Sequence, residues 1–210
     1  RQFLVAFHRE GCAPATTRRK LAALRTFYRF LIREGAAARN PFAGLRGPRL
    51  ARTLPVVLNE RQVEALLAAP ARELEALRAA PGGGPAPDAA YARLRDAALL
   101  ETLYSTGARV AEAAGLRLDH IELGSGVARV LGKGRKERLC VLGRPAAAAL
   151  RRALEEADRL WPGAAARDGV LFRNLQGGAL TPRSIERNLK HWLAAAGLPG
   201  TITPHKLRHS

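Results

Sequence analysis

Gly132-Lys133-Gly134-Arg135-Lys136-Glu137-Arg138 separates two short runs of β-favouring residues. Before it, Val127, Arg129 and Leu131 alternate with Ala128 and Val130; after it come Leu139, Cys140, Val141 and Leu142. Two such runs joined through glycines predict a β-hairpin with a basic tip. Gly132 and Gly134 permit tight turning and leave the backbone uncovered, so the tip can approach a partner closely, and its charge suits an anionic one. A merely solvated basic turn is the alternative that this segment leaves open by itself.

On the N-terminal side of the hairpin the chain reads as helix. Asp88 starts a helix that runs through Leu94, Leu99, Leu100 and Leu103 and is closed by Gly107. If residues 109–116 form a short helix, Arg109 and Glu112 share a face at i,i+3. Further upstream, Asn59 with Gln62 predicts a capping box opening a helix that turns Val63, Leu66 and Leu67 inward, and Pro81-Gly82-Gly83-Gly84-Pro85 reads as a surface insertion. Residues 1–39 carry a helical pattern: Phe3, Leu4 and Phe7 form one stripe, then Thr16 or Thr17 caps a second helix burying Leu21, Leu24, Phe27, Tyr28, Leu31 and Ile32. Its other face holds Arg18, Arg19, Arg25, Arg29 and Arg33, a solvated face of which a few members can lie against phosphates. Asn40-Pro41 is expected to end that helix, and the Gly-, Pro- and Arg-rich stretch that follows reads as a linker. The expected division is a helical region over 1–47, a linker over 48–58 and a larger domain over 59–210.

Beyond the hairpin, Pro145 opens a helix through Leu150 and Leu154 that ends at Trp161-Pro162-Gly163, and Val170-Leu171-Phe172 is expected to add a strand. Thr181 and Pro182 cap and start a helix burying Ile185, Leu189, Trp192 and Leu193 up to Gly197. Thr203 and Pro204 then begin a last helix with His205 and Arg208 at i,i+3, its amino end suited to a phosphate. The fold class is therefore mainly α with a small β-hairpin or sheet.

The 210 residues hold 35 Lys and Arg against 18 Asp and Glu, a net charge of +17 spread along the whole chain, which points to a polyanion and above all to nucleic acid. Cys12 and Cys140 stand too far apart in sequence to suggest a disulfide framework or a cysteine-rich zinc site. No apolar run approaches a membrane span and no signal peptide is visible, so a cytoplasmic protein is expected. There is no methionine, the chain begins inside a helical pattern and it stops within a motif, which reads as a fragment cut at both ends.

Arg109, Lys133, His205 and Arg208 make three cations and a proton donor, with Glu112 available to orient one of them. Phosphoryl transfer needs its developing negative charge met by donors set in place beforehand, arginine's planar fork suits phosphate oxygens, and a lysine can protonate a leaving alkoxide. His205 and His209 at i,i+4 have no third ligand nearby, so no metal site is expected. His120 and His191 read as ordinary structural or surface residues.

Over nearly its whole length the sequence resembles the tyrosine recombinases (phage integrase family), and within them the bacterial Xer-type site-specific recombinases. Leu103-Tyr104-Ser105-Thr106-Gly107-Ala108-Arg109-Val110-Ala111-Glu112 is similar to the segment with the family's first catalytic arginine, Glu112 standing at a supporting acidic position. Gly132 through Arg138 is similar to the hairpin with the catalytic lysine, Lys133, and Thr203 through His209 matches the His-x-x-Arg box, which implies His205 and Arg208 as active-site residues. The resemblance implies an N-terminal helical core-binding domain followed by an α+β catalytic domain, the first incomplete at its N-terminus and the second at its C-terminus. It implies strand cleavage and rejoining through a 3′-phosphotyrosine intermediate without metal, nucleotide or other cofactor. The implied partners are double-stranded DNA and further recombinase subunits in a homo- or hetero-tetramer, with Arg18, Arg19, Arg25, Arg135, Lys136 and Arg138 as DNA-backbone contacts. The family's nucleophilic tyrosine has no match here: Tyr28, Tyr91 and Tyr104 fall in no such motif, so the chain by itself is not expected to cleave DNA. Chromosome dimer resolution, serving partition at cell division, and integration by a phage or mobile element are the two implied roles; a non-catalytic DNA-binding module is the alternative.

Overall fold

The computed structural model describes residues 6–7, 9–49, 57–82, 84–132, 134, 136–203 and 207. Lys133, Arg135, Pro204, His205, Arg208 and the N-terminal Phe3 and Leu4 lie outside the described residues. Two compact units are present, Arg1–Leu54 and Pro55–Ser210.

In the first unit, α1 spans Pro14–Arg33. Pro14 sits at the first helical turn, where its missing N–H costs nothing, so the helix starts before the expected threonine caps. Thr17 instead lies inside α1, buried, with its hydroxyl donating back to the Ala13 carbonyl at 3.3 Å. The helix also ends earlier than Asn40-Pro41. Gly35 adopts φ +73°, Ala36 N–H donates to Leu31 O at 2.8 Å and Gly35 N–H to Ile32 O at 3.1 Å, a Schellman closure that only a glycine accepts without strain. Of the expected apolar stripe Leu21 is buried, whereas Phe27 and Ile32 are exposed.

The second unit holds the main core. α2 (Glu60–Ala79) opens on the expected capping box: Gln62 N–H donates to the Asn59 side chain at 2.9 Å and Asn59 N–H to the Gln62 side chain at 3.0 Å. The helix continues through an internal Pro70. α3 (Pro87–Thr106) buries Tyr91, Leu99, Leu100 and Leu103 and packs on α2 and, most extensively, on α5 (Arg144–Leu160). Between α3 and α5 come the short α4 (Val110–Ala114) and a three-stranded antiparallel sheet, β1 (Ile121–Glu122), β2 (Val127–Leu131) and β3 (Glu137–Val141), in the order β1-β2-β3. The sheet thus has one strand more than the hairpin read from the sequence. α6 (Ala164–Asp168), too short to show a period, was not anticipated; α7 (Pro182–Ala195) carries the Thr181 cap and buries Ile185, Leu189, Trp192 and Leu193 as expected. Residues 170–172 do not form a strand. Isolated bridges pair Arg117 with Val170 and Arg173 with Ala179, so Leu171 and Phe172 are buried from an irregular segment.

A buried polar network ties α3 to that segment and to α7. Asp96 accepts from Trp192 Nε1 at 2.9 Å, from Asn188 Nδ2 at 3.0 Å and from Arg95 Nε at 2.9 Å, while Arg95 also donates to Arg173 O at 3.2 Å. The Tyr91 hydroxyl donates to Arg173 O at 3.3 Å and accepts Arg173 N–H at 3.1 Å, and the Arg173 guanidinium is paired with Asp168. Every buried polar group named here has a partner, which is the condition for such a network to favour one packing arrangement.

Candidate functional site

The turn from α3 into α4 is built by three residues. Thr106 donates its hydroxyl to Thr102 O at 2.6 Å and accepts Ala108 N–H at 3.2 Å, Gly107 takes φ +57° in the left-handed region, and Ala108 is buried. Arg109 then stands at the N-cap of α4. Glu112, one turn on, accepts Arg109 N–H through Oε2 at 2.9 Å and the Arg109 Nη1 through Oε1 at 2.7 Å. The expected i,i+3 relationship is therefore a double attachment, backbone and side chain, of one residue to one carboxylate. The Arg109 side chain remains 59% exposed, while that of Glu112 is 6% exposed.

The hairpin is registered against this turn. Val130 pairs with Arg138 and Ala128 with Cys140 across β2 and β3, and the hairpin closes where Gly132 N–H donates to Lys136 O at 2.8 Å. Directly opposed residues share a sheet face. Ala128 and Val130 are fully buried, so Arg138 and Cys140 face the core side, and Leu139 and Val141 are left 75% and 74% exposed. Arg138 reaches Glu112 Oε2 through Nη2 at 2.7 Å. At the other end of β3, the Ser105 hydroxyl donates to Val141 O at 3.1 Å and accepts Gly143 N–H at 2.7 Å, fixing the strand to the end of α3. Gly132 lies directly over the ion cluster: a Cβ there would meet Lys136 O at 3.3 Å, Arg138 Nη1 at 3.5 Å and Glu112 Oε1 at 3.6 Å.

Burial alone would push the Glu112 carboxyl up, but the hydrogen bond from Arg138 and those from the Arg109 backbone and guanidinium outweigh it and hold the group at about 2. The same contact, stronger than the opposing effect of burial, raises Arg138 above its ordinary value. Glu112 is thus a fixed anion between two arginines.

Lys133, Arg135, His205 and Arg208 lie outside the described residues, although the neighbouring Gly132, Gly134 and Lys136 are described, with Gly134 at φ +77° and both Gly134 and Lys136 exposed. Leu207 is buried in the main core with Ile202, and its N–H donates to Thr203 O at 3.0 Å. Arg18 and Arg19 are exposed on α1. Arg25 turns back on its own unit: Nε donates to Phe42 O at 3.0 Å and Nη2 to Leu45 O, and the Asn40 side chain donates to Arg25 O at 3.0 Å. His120 Nδ1 accepts Arg117 N–H at 3.3 Å, and His191 stands beside Glu73 and edge-on to Trp192. Sequence reasoning missed Ser105 and the Arg138–Glu112 pair. The first has no local signal; for the second, counting by twos along β3 puts Arg138 on the face of Ala128 and Val130, but nothing local names Glu112 as its partner.

Among the described residues no group of three His, Cys, Asp or Glu side chains could hold a metal ion, and no helix is long and apolar enough to cross a membrane. Cys12 and Cys140 are both free thiols.

Residues 57–210 match the model of the phage integrase family, and residues 1–35 that of the phage integrase N-terminal SAM-like domain. Tyrosine recombinase XerD of Lacticaseibacillus casei is 40% identical over 94% of this chain and 62% of its own length. Tyrosine recombinase XerC of Alcanivorax borkumensis is 37% identical over 100% of this chain and 63% of its own length. The chain thus spans about three fifths of the length of these relatives. Among solved structures, XerH site-specific recombinase in a post-cleavage complex with palindromic difH substrate is similar with a TM-score of 0.73 at 23% identity, covering 100% of this chain and 58% of that one. A dimer of lambda integrase(75-356) bound to a COC′ core site gives a TM-score of 0.63 at 17% identity, covering 98% of this chain and 68% of that one. At these identities the likeness is one of fold.

Proposed function

The chain belongs to the phage integrase family, the tyrosine recombinases its motifs resemble, and from that premise we propose that it is the body of a Xer-type site-specific recombinase. Residues 1–47 form the core-binding part, 48–58 the linker and 59–210 the catalytic part. The observation that carries the reading is Arg109: a guanidinium fastened to its helix start by Glu112 and still 59% exposed, set beside a basic hairpin in a chain of net charge +17.

In the proposed reaction a tyrosine oxygen attacks the scissile DNA phosphate. A bond forms between the tyrosine oxygen and phosphorus, and the bond from phosphorus to the 5′-oxygen breaks. Arg109 and Arg208 stabilise the charge on the pentacoordinate phosphate. Lys133 gives a proton to the leaving 5′-oxygen, and His205 assists proton handling or phosphate contact. The 3′-phosphotyrosine conserves the bond energy, so a strand of a second duplex is joined without ATP. Tyr91 is unsuited to the nucleophile's part: its phenol is buried, desolvation raises its pKa, and its hydroxyl is engaged with the Arg173 backbone. Tyr28 and Tyr104 match no nucleophile motif, so the tyrosine is assigned outside these 210 residues. Duplex DNA and further recombinase subunits are the proposed partners, with the exposed Arg18, Arg19 and Lys136 and the hairpin's Arg135 as backbone contacts.

The test is the binding of duplex DNA by the chain over a range of salt. Phosphate contacts release counterions, so the logarithm of affinity falls linearly with the logarithm of salt, by about 0.9 per contact. A steep fall is expected; binding that is absent at low salt, or indifferent to salt, overturns the reading.

A further inference from the structure

We propose that Arg138 is a positioning residue of the phosphate site, acting through Glu112 on Arg109, and not a contact to nucleic acid. This rests on the recombinase reading above and assigns Arg138 a different part from the backbone contact that the sequence suggests for it.

The geometry of the carboxylate carries the inference. Glu112 has two oxygens and both are in use: Oε1 takes Arg109 Nη1 at 2.7 Å, and Oε2 takes Arg109 N–H at 2.9 Å and Arg138 Nη2 at 2.7 Å. A single arginine on a single buried carboxylate is a neutral pair, and a neutral pair is a poor host for an anion. The second arginine restores a net positive charge to the cluster. It also takes part of the carboxylate's hydrogen-bonding capacity, so that Arg109 is held by one guanidinium nitrogen and remains more than half exposed. Arg138 itself is 34% exposed at the side chain and lies on the core-facing side of β3, opposite the fully buried Val130. Lys136, by contrast, is exposed at the hairpin tip. Gly132 lies against the same cluster: a Cβ there would meet the Arg138 and Glu112 side chains at ordinary contact distance and Lys136 O more tightly, at 3.3 Å. A carboxylate bonded by two arginines from separate elements also fixes the register between α4 and the hairpin, whose next residue after Gly132 is Lys133.

Two measurements test the proposal. The first is the salt dependence of binding to duplex DNA of random sequence by the 210-residue chain. Arg138→Gln is expected to leave the slope unchanged within about 0.3, whereas Lys136→Gln lowers it by about 0.9, the value for one phosphate contact. A fall of that size for Arg138→Gln overturns the proposal. The second is the rate of covalent adduct formation on duplex DNA in a complete recombinase that carries these residues together with a nucleophilic tyrosine. Arg138→Gln is expected to slow the adduct by tenfold or more. The double variant Arg138→Gln with Glu112→Gln is expected to be within about threefold of Glu112→Gln alone, because a residue that acts through Glu112 has nothing left to act on. Arg138→Lys, which can still donate to Glu112, is expected to stay within about fivefold of wild type, and its melting temperature checks that the fold is kept. Losses that multiply in the double variant contradict action through Glu112, as does an Arg138→Gln protein with the wild-type rate. If the wild-type recombinase forms no adduct, the reaction proposed above fails, and the salt slope still decides between internal clamp and phosphate contact.

Discussion

Glu112 binds Arg109 twice, at the backbone N–H (2.9 Å) and at the guanidinium (2.7 Å), so the residue that starts α4 is also the residue whose side chain that helix positions. The direction of the charge in that contact sets a dependence on acid. The Glu112 carboxyl is held at about 2 in the folded protein against an ordinary 4.5, so the unfolded chain takes up a proton at higher pH than the folded one. Its contribution to stability is complete above about pH 4.5 and is lost as pH falls towards 2. At 1.36 kcal/mol per unit this amounts to about 3 kcal/mol. Urea unfolding at a series of pH values is expected to show wild type losing that much more stability than Glu112→Gln between neutral pH and pH 2. Parallel curves for the two proteins would contradict the pairing.

Asp96 anchors the network that joins α3 to α7, receiving Trp192, Asn188 and Arg95. Both members of the Arg95–Asp96 pair have side chains 7% exposed. Removing one partner of a buried ion pair leaves an uncompensated charge, so Asp96→Ala is expected to destabilise the chain by about 3–5 kcal/mol. Denaturant titration measures it, and a loss under about 1 kcal/mol would mean that water replaces the carboxylate without penalty.

Two glycines in the turn between β1 and β2 separate backbone need from mere flexibility. Gly126 has φ +69°, and a Cβ there would lie 3.0 Å from Leu142 O, whereas a Cβ at Gly124 meets nothing within 4 Å. Gly126→Ala is expected to cost more than about 1 kcal/mol, while Gly124→Ala stays within about 0.5 kcal/mol of wild type. Equal effects on the unfolding midpoint would contradict the turn geometry.

Lys133 is the proposed general acid, and a leaving group that needs no proton tests that role. In a complete recombinase, Lys133→Ala is expected to slow cleavage of ordinary DNA by 100-fold or more, in line with the rate effect of about 10²–10⁴ for general acids, and to slow a substrate with a bridging 5′-sulfur far less. Equal losses on both substrates would remove Lys133 from proton transfer.

Much of this architecture can be read from the sequence because it rests on local signals: the Asn59 capping box, the Thr181-Pro182 start of α7, and the left-handed Gly107 each act within one helical turn. The readings that failed depended on competition between local and distant partners. Thr17 has the chemistry of a cap, yet Pro14 starts the helix first and leaves the threonine to bond back inside it. Val170-Leu171-Phe172 has the composition of a strand, yet only isolated bridges at Val170 and Arg173 form there, and Leu171 and Phe172 are buried from an irregular segment. The register of β3 on β2 carries Arg138 towards Glu112, 26 residues away in sequence, a contact no local pattern contains. At the candidate site the i,i+3 spacing of Arg109 and Glu112 was legible, because it lies within one turn of helix; Ser105, which ties α3 to the end of β3, was not.

The central claim is that Arg109 serves the transition state of phosphoryl transfer and not merely the affinity for DNA. The direct measurement is formation of the covalent protein–DNA adduct by a complete recombinase carrying Arg109→Ala, with binding to the same duplex measured alongside. The account predicts that the adduct is abolished while binding weakens only a few-fold. An adduct formed at the wild-type rate would contradict it.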